Sequence, residues 1–404
     1  MRTTAVIGQS GGPTAVINQS VVGVVQGLRD GGFTADGSKI LGMRHGVSGL
    51  VKGEFVDLTD IDDARLDRIA VSPSAGLGST RDKPDQAYCE RILEACTKHG
   101  IGLFFYVGGN DSSDTCRIVN ELAKSKNIEL RCFHVPKTVD NDLMANDHTP
   151  GFPSAARFVA MACAADGLDN ASIPGVKINV IMGRHAGFLT AASALARDIT
   201  ETGAPHLIYV PEVAFDTDRF VQDVQRTIDA HGRCQIAVSE GIQNAAGEAI
   251  GATLIKSGQV DDHGNVQLSG SGALGDALSD LLKEKLSPIN GKAPRVRADT
   301  FGYLQRCWPD ASPIDQREAR GSGKFAAQCA LGGDVDGSIA ITRVHELGSG
   351  QPYTAAFKRV ELTEVAAKTR HLPSEFIKGT DDESDAFFDY CRPLVGELPR
   401  LERF

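Results

Sequence analysis

The chain has 404 residues, 41% of them hydrophobic and 44 of them glycine, with a formal net charge of −10. That length exceeds one ordinary core and predicts two domains, while an acidic balance without a long basic run excludes nucleic acid as a partner. Nine scattered cysteines form no CxxC and no zinc-type cluster, and no apolar run is long enough to cross a membrane. Reduced thiols, a start (MRTTAVIGQSGG) that runs straight into strand-like residues, and the lack of a membrane span lead to the expectation of a cytoplasmic protein.

In chain order, TTAVIG (3–8) predicts a strand, and QSGGPT opens the helix that follows. Backbone N–H groups at Gly11 and Gly12 can face an anion there, aided by the helix dipole. No Gly-Lys-Ser/Thr follows, and a strand–helix turn that simply needs glycine accounts for the loop equally well. GLGSTRDKP (76–84) carries Arg81, and DQAYCERILEACTKH (85–99) predicts a helix stopped at Gly100. GLFFYV (102–107) then predicts a buried strand feeding GGNDSSDTC. Gly108 and Gly109 let backbone approach a ligand closely, Asn110 and Asp111 offer oxygens to a cation, and Ser112 can donate to phosphate. An ordinary N-cap with an acid in the first turn explains the same residues.

LRCFHV (130–135) leads into PKTVDND (136–142), a stronger signal. Asp140 and Asp142 are two apart on an extended segment and can face one side, one as general base and one at a metal. Lys137 sits beside them. VKINVIM (176–182) leads into GRHAG, with Arg184 and His185 between glycines; CQIAV (234–238) leads into SEG, with Glu240 as a hydroxyl acceptor. HLIYV (206–210) is a further strand, GSGALG (270–275) reads as the start of a helix rather than a dinucleotide loop, and RADTFGYLQR (297–306) supplies Arg297, Tyr303 and Arg306. The region after about residue 345 reads as mixed and peripheral. Apolar runs alternating with helices predict an α/β protein with parallel sheets covered on both faces and ligands at the strand carboxyl ends.

Taken together, GQSGGPTA, GLGSTR, YVGGNDSSDT, PKTVDND, MGRHAG, PHLIYVPE, SEGI and RADTFGYLQR resemble the phosphofructokinase family over roughly residues 5–306. The resemblance implies two Rossmann-like three-layer domains, the chain crossing back between them and the active site in the cleft. It divides the chain into a phosphoryl-donor domain (1–150 plus about 306–360) and a fructose 6-phosphate domain (151–305 plus about 361–404). It implies transfer of a phosphoryl group to the 1-hydroxyl of fructose 6-phosphate, with Mg²⁺. By motif, Asp140 resembles the general base, supported by Thr138 and by Asp142 near the metal. Gly11 and Arg81 fall at the donor. Met182, Gly183, Arg184, Glu240, Tyr303 and Arg306 fall at the sugar phosphate. Arg297 matches an arginine supplied by a neighbouring subunit, which implies a homodimer or homotetramer.

Two positions depart from the ATP-using pattern, in which GGDGS and PGTIDND carry glycines where this chain has Asp111 and Lys137. The pair resembles the pyrophosphate-dependent branch: Asp111 fills and repels where an α-phosphate of ATP would lie, and Lys137 reaches the second phosphate of pyrophosphate. Asn110 replaces an Asp that helps hold Mg²⁺ in most relatives, which leaves the metal ligands divided between Asn110 and Asp111. Gly175, with Lys177 nearby, stands where another neighbour-supplied arginine is expected. KTRHLPSEFI (368–377) resembles pyrophosphate-using relatives, with no chemistry assigned to it. The alternatives are an ATP-dependent phosphofructokinase and an inactive regulatory subunit of the same fold.

Overall fold

A computed structural model describes residues 3–254, 272–288, 291 and 293–404. Two compact units form: residues up to Ser154 join Arg306–Arg370 in the first, and Ala155–Gln305 join His371–Phe404 in the second. In chain order the first unit contributes β1 (Thr4–Gln9), β2 (Lys39–Met43), β3 (Phe55–Asp57), β4 (Ile101–Gly108) and β5 (Arg131–Pro136). The second follows with β6 (Val176–Ile181), β7 (Leu207–Tyr209), β8 (Cys234–Ser239) and β9 (Val296–Thr300), and the chain returns to the first for β10 (Asp336–Arg343) and β11 (Ala355–Val360).

The first sheet has the order β11-β10-β5-β4-β1-β2-β3. Its inner strands are parallel, as the doubly buried runs predict, but β2–β3 and β10–β11 pair antiparallel, so both edges depart from the all-parallel expectation. Successive residues go to opposite faces. Leu103, Phe105 and Val107 of β4 pack with Val21, Val25 and Leu28 of the helix Ile17–Asp30. Phe104 and Tyr106 pack with Ile92, Cys96 and Val119 of the helices on the other face. Helix Gln86–Lys98 is capped by Asp85, which accepts from Tyr88 N, close to the span read from sequence.

The second sheet, β7-β8-β6-β9, is wholly parallel. Val176, Ile178 and Val180 pack on Phe220, Val224, Leu274 and Leu278. The other face carries buried amides in place of carbons: Gln235 Nε2 donates to Asn179 Oδ1 and to Cys163 O, each at 2.9 Å. Helix Ala273–Lys285 begins inside GSGALG, whose Gly270 and Ser271 lie outside the described residues.

The region after residue 345 is not peripheral. β11 completes the first sheet, and helix Asp385–Val395 buries Phe387, Tyr390 and Leu394 in the second unit. Its strand is short and its apolar residues are interleaved with charge, so their partners come from distant chain rather than from local pattern. Among the described residues no helix is long and apolar enough to cross a membrane.

Candidate active site

In the first unit β5, β4 and β1 are neighbours, so the loops at their carboxyl ends emerge side by side. Gly11 takes φ +73°, a conformation open to glycine, and donates its N–H to Thr80 O at 2.8 Å, which brings the exposed Arg81 beside the first loop. Gly108 has no room for a side chain: a Cβ there would overlap the hydroxyls of Ser10 and Ser112, which bond each other. Gly109 caps the helix Asn110–Ser125, with Asp111 in its first turn. Behind this loop, His134 Nε2 donates to Gly108 O at 2.8 Å, and burial keeps the imidazole neutral, with its pKa lowered to about 4.

Lys137 is 3% exposed. Its backbone N–H donates to Gly108 O at 3.0 Å and its Nζ to Gly12 O at 2.8 Å, so one residue links two loops. A Cβ on Gly11 would lie 3.3 Å from that Nζ, and one on Gly12 would lie 2.9 Å from Arg306 Cζ. Arg306 thus stands with the first loop and Lys137, whereas the sequence reading grouped it with the sugar phosphate. Burial first, then the like charge of Arg306, pulls the Lys137 amine down to about 8. Nearby Asp140 N–H donates to Thr138 Oγ1 at 3.1 Å. Burial, reinforced by Asp140, raises the Asp142 carboxyl to about 6.

Asn110 Nδ2 donates to Asp142 Oδ2 at 3.2 Å, while its buried Oδ1 has no hydrogen-bond partner among the described residues. Asp111 is elsewhere: its carboxylate is 62% exposed and 3.4 Å from Lys83 Nζ. Among the described residues no cluster of three or more His, Cys, Asp or Glu forms a metal cage.

In the second unit, Met182, Gly183 and the exposed Arg184 follow β6, and the buried Glu240 follows the adjacent β8. Ser239 Oγ donates to Gly183 O at 2.5 Å, and Glu240 N–H donates to Ile181 O at 2.9 Å. Gln305, in the turn with the half-exposed Tyr303, accepts from Met182 N at 3.3 Å. Arg297 is not with these loops. It is exposed on edge strand β9, in register with Lys177, about 15 Å of strand away from Met182.

Sequence reasoning assigned nothing to KTRHLPSEFI, yet in the first unit Arg370 N–H donates to Asp142 O at 2.8 Å. In the second, Leu372 N–H donates to Glu212 Oε1 at 2.7 Å, and Glu212 Oε1 also accepts from Gly187 N at 3.0 Å. No local motif marks these roles, because Arg370 and Leu372 each bond a residue more than a hundred positions away. The first unit thus offers glycine loops, a buried lysine and a carboxylate pair, a set that can hold a short polyanion and take a proton from an incoming hydroxyl.

Glycine-rich loops at the carboxyl ends of parallel strands suit phosphate binding. The chain belongs to the phosphofructokinase family, whose pattern, described as Phosphofructokinase, matches residues 4–330. It is 52% identical over 97% of its length, and 94% of the relative's, to a Pyrophosphate–fructose 6-phosphate 1-phosphotransferase of Rhodospirillum rubrum. It is 35% identical to the enzyme of that name from Xanthomonas campestris pv. campestris, covering 97% of this chain and 91% of the relative. A crystal structure of a pyrophosphate-dependent phosphofructokinase from Marinobacter aquaeolei superposes with a TM-score of 0.83 at 31% identity, covering 99% of this chain and 95% of the other.

Proposed function

We propose that the chain is a pyrophosphate-dependent 6-phosphofructokinase, transferring a phosphoryl group reversibly from pyrophosphate to the 1-hydroxyl of fructose 6-phosphate to give fructose 1,6-bisphosphate and phosphate. The observation that carries the choice of donor is Lys137: a buried amine bonded to Gly12 O beside Gly11, where a second phosphate would need its charge matched. Asp140 takes the proton of the 1-hydroxyl as that oxygen attacks the nearer phosphorus, and the bridging oxygen leaves with inorganic phosphate. Lys137 and Arg81 meet the leaving phosphate, with Gly11, Gly12, Gly108, Gly109 and Ser112 forming the floor. Thr138 and Asp142 orient the reacting groups. Phosphoryl transfer asks mainly for such alignment and charge.

Mg²⁺ suits the site because it keeps several waters and takes one or two protein oxygens plus substrate phosphates, a need met by the orphaned Asn110 Oδ1 and by Asp142. When bound it neutralises charge on the transferring phosphoryl group. Asp111, exposed and paired with Lys83, supports the donor choice more than the metal site. By motif, Met182, Gly183, Arg184, Glu240, Tyr303 and Arg306 hold the sugar phosphate. Arg297 completes the site of a neighbouring copy, in a homodimer or homotetramer. Nine cysteines without a disulfide support a cytoplasmic location.

A coupled spectrophotometric assay with each donor tests the reading: turnover with pyrophosphate and little with ATP is expected, and turnover on ATP alone overturns it. Asp140→Ala abolishing turnover disposes of an inactive regulatory subunit. Asp111→Gly combined with Lys137→Gly lowers pyrophosphate use and admits some ATP; an unchanged donor ratio removes the exclusion argument.

A further inference from the structure

The segment that carries Asp140 and Asp142 is held from behind by a buried charged cluster that the chemistry above leaves unused. His148 is fully buried. Its Nδ1 donates to Asp147 Oδ2 at 2.9 Å and its Nε2 to Glu318 Oε2 at 2.8 Å. Two carboxylate acceptors require N–H on both nitrogens, so the ring is an imidazolium. Burial alone would lower its pKa, but the bonds to Asp147 and Glu318 outweigh burial and hold it at about 9.

Both carboxylates have further polar partners. Asp147 accepts from Arg343 Nε at 3.0 Å, its backbone carbonyl accepts from Arg370 Nη1 at 2.6 Å, and its N–H donates to Ile341 O at 2.7 Å. Glu318 accepts from the Tyr353 hydroxyl at 3.0 Å and faces Arg317 at 3.6 Å. Asp315, one turn earlier on the same helix, Pro313–Gly332, accepts from Gly151 N at 2.9 Å and Ser154 Oγ at 2.5 Å. Next to His148, Thr149 Oγ1 donates to Thr138 O at 2.8 Å and Thr149 N to Asn141 Oδ1 at 3.0 Å. The chain from Thr138 to Gly151 is thereby closed on itself and tied to one helix at two acids, three residues apart on that helix.

We propose that His148, paired with Glu318, is a positioning residue for phosphoryl transfer: it ties the 138–151 segment to helix Pro313–Gly332 and so fixes where Asp140 and Asp142 stand. The inference rests on the roles proposed above for those two carboxylates. A neutral imidazole has one N–H, so losing the proton breaks the bond to Asp147 or to Glu318, and the segment loses one anchor.

His148→Gln and Glu318→Gln in the full chain test this. His148→Gln is expected to lower kcat about tenfold or more with the KM of both substrates within about twofold, as a small misplacement of reacting groups does. Amide hydrogen exchange is expected to quicken across residues 138–151. Glu318→Gln keeps an acceptor for Nε2 and for the Tyr353 hydroxyl but loses the charge. It retains near-wild-type kcat at about pH 6.5, and its alkaline fall comes at lower pH than in the wild type. Lys137 is common to both proteins and does not move that difference. Wild-type kcat and exchange in His148→Gln, or coincident alkaline limbs in Glu318→Gln, overturn the proposal. If the wild type shows no turnover with pyrophosphate, the functional reading fails separately, and exchange across 138–151 alone decides the tie, unchanged protection overturning it. If His148→Gln does not fold, the ¹⁵N titration of His148 in Glu318→Gln decides: a pKa lowered by about one unit or more supports the pairing, and an unchanged one overturns it.

Discussion

In the proposed site, Lys137 sets the stability of the fold against the binding of pyrophosphate. Its amine falls from the usual 10.5 to about 8 because burial disfavours the charged form and Arg306 adds like charge. Below pH 8 the folded protein carries the full cost of that buried charge, about 3 kcal/mol at most; the cost is relieved as pH rises from 8 towards 10.5, where the unfolded chain binds the extra proton. Lys137→Met is therefore expected to raise the melting temperature of the ligand-free protein at pH 7 by several degrees while raising the KM for pyrophosphate at least tenfold. In the wild type, kcat/KM for pyrophosphate declines above about pH 8 as the same amine loses its charge. Asp142 sets the opposite limb. Its carboxyl is raised to about 6 by burial and by Asp140, so it is ionised above that pH and protonated below it. A pH–rate profile at saturating substrates is expected to fall as pH drops through about 6, and Asp142→Asn is expected to remove that limb along with most of kcat.

Among the elements, the helices Ile17–Asp30 and Pro313–Gly332 approach so closely that backbone meets backbone. A Cβ on Gly323 would overlap Ser20 O, and one on Gly23 would overlap Arg320 O. Gly27 continues the seam, where a Cβ would lie 2.8 Å from Ala327 Cβ. Gly323→Ala must push the helices apart, at a cost of about 1–3 kcal/mol, which a lower denaturant midpoint with an unchanged slope would register. The first of these helices follows the Gly11–Gly12 loop and the second carries Asp315 and Glu318, so kcat is expected to fall in the same variant. The strands, by contrast, were legible residue by residue. Leu103, Phe105 and Val107 alternate with Phe104 and Tyr106, both sets are apolar, and a strand so patterned has to be covered on both faces.

At the scale of the molecule, Arg297 poses the main question. It is exposed on edge strand β9, far along the sheet from Met182 and Arg184. If it completes a neighbour's site, Asp140→Ala and Arg297→Ala are each inactive alone. Mixed after dissociation and reassembly, they are expected to recover up to about a quarter of wild-type activity, since a mixed pair has one intact site. No recovery would return Arg297 to its own chain or to no role.

The sequence by itself determined the strand-and-loop grammar: apolar runs of five or six residues ending in glycine, hydroxyl and acid, which give buried parallel strands whose carboxyl ends carry the polar loops. That information is local, because side-chain alternation and turn chemistry act over a few residues. Only the tertiary structure decided that β1, β4 and β5 lie side by side, that the sheet edges run antiparallel, that Arg306 stands against Gly12, and that His148 meets Glu318 from 170 positions away. A histidine between an aspartate and a threonine carries no sign of its partner. Burial turns such a residue from a solvated base into a fixed cation, and burial belongs to the packed chain.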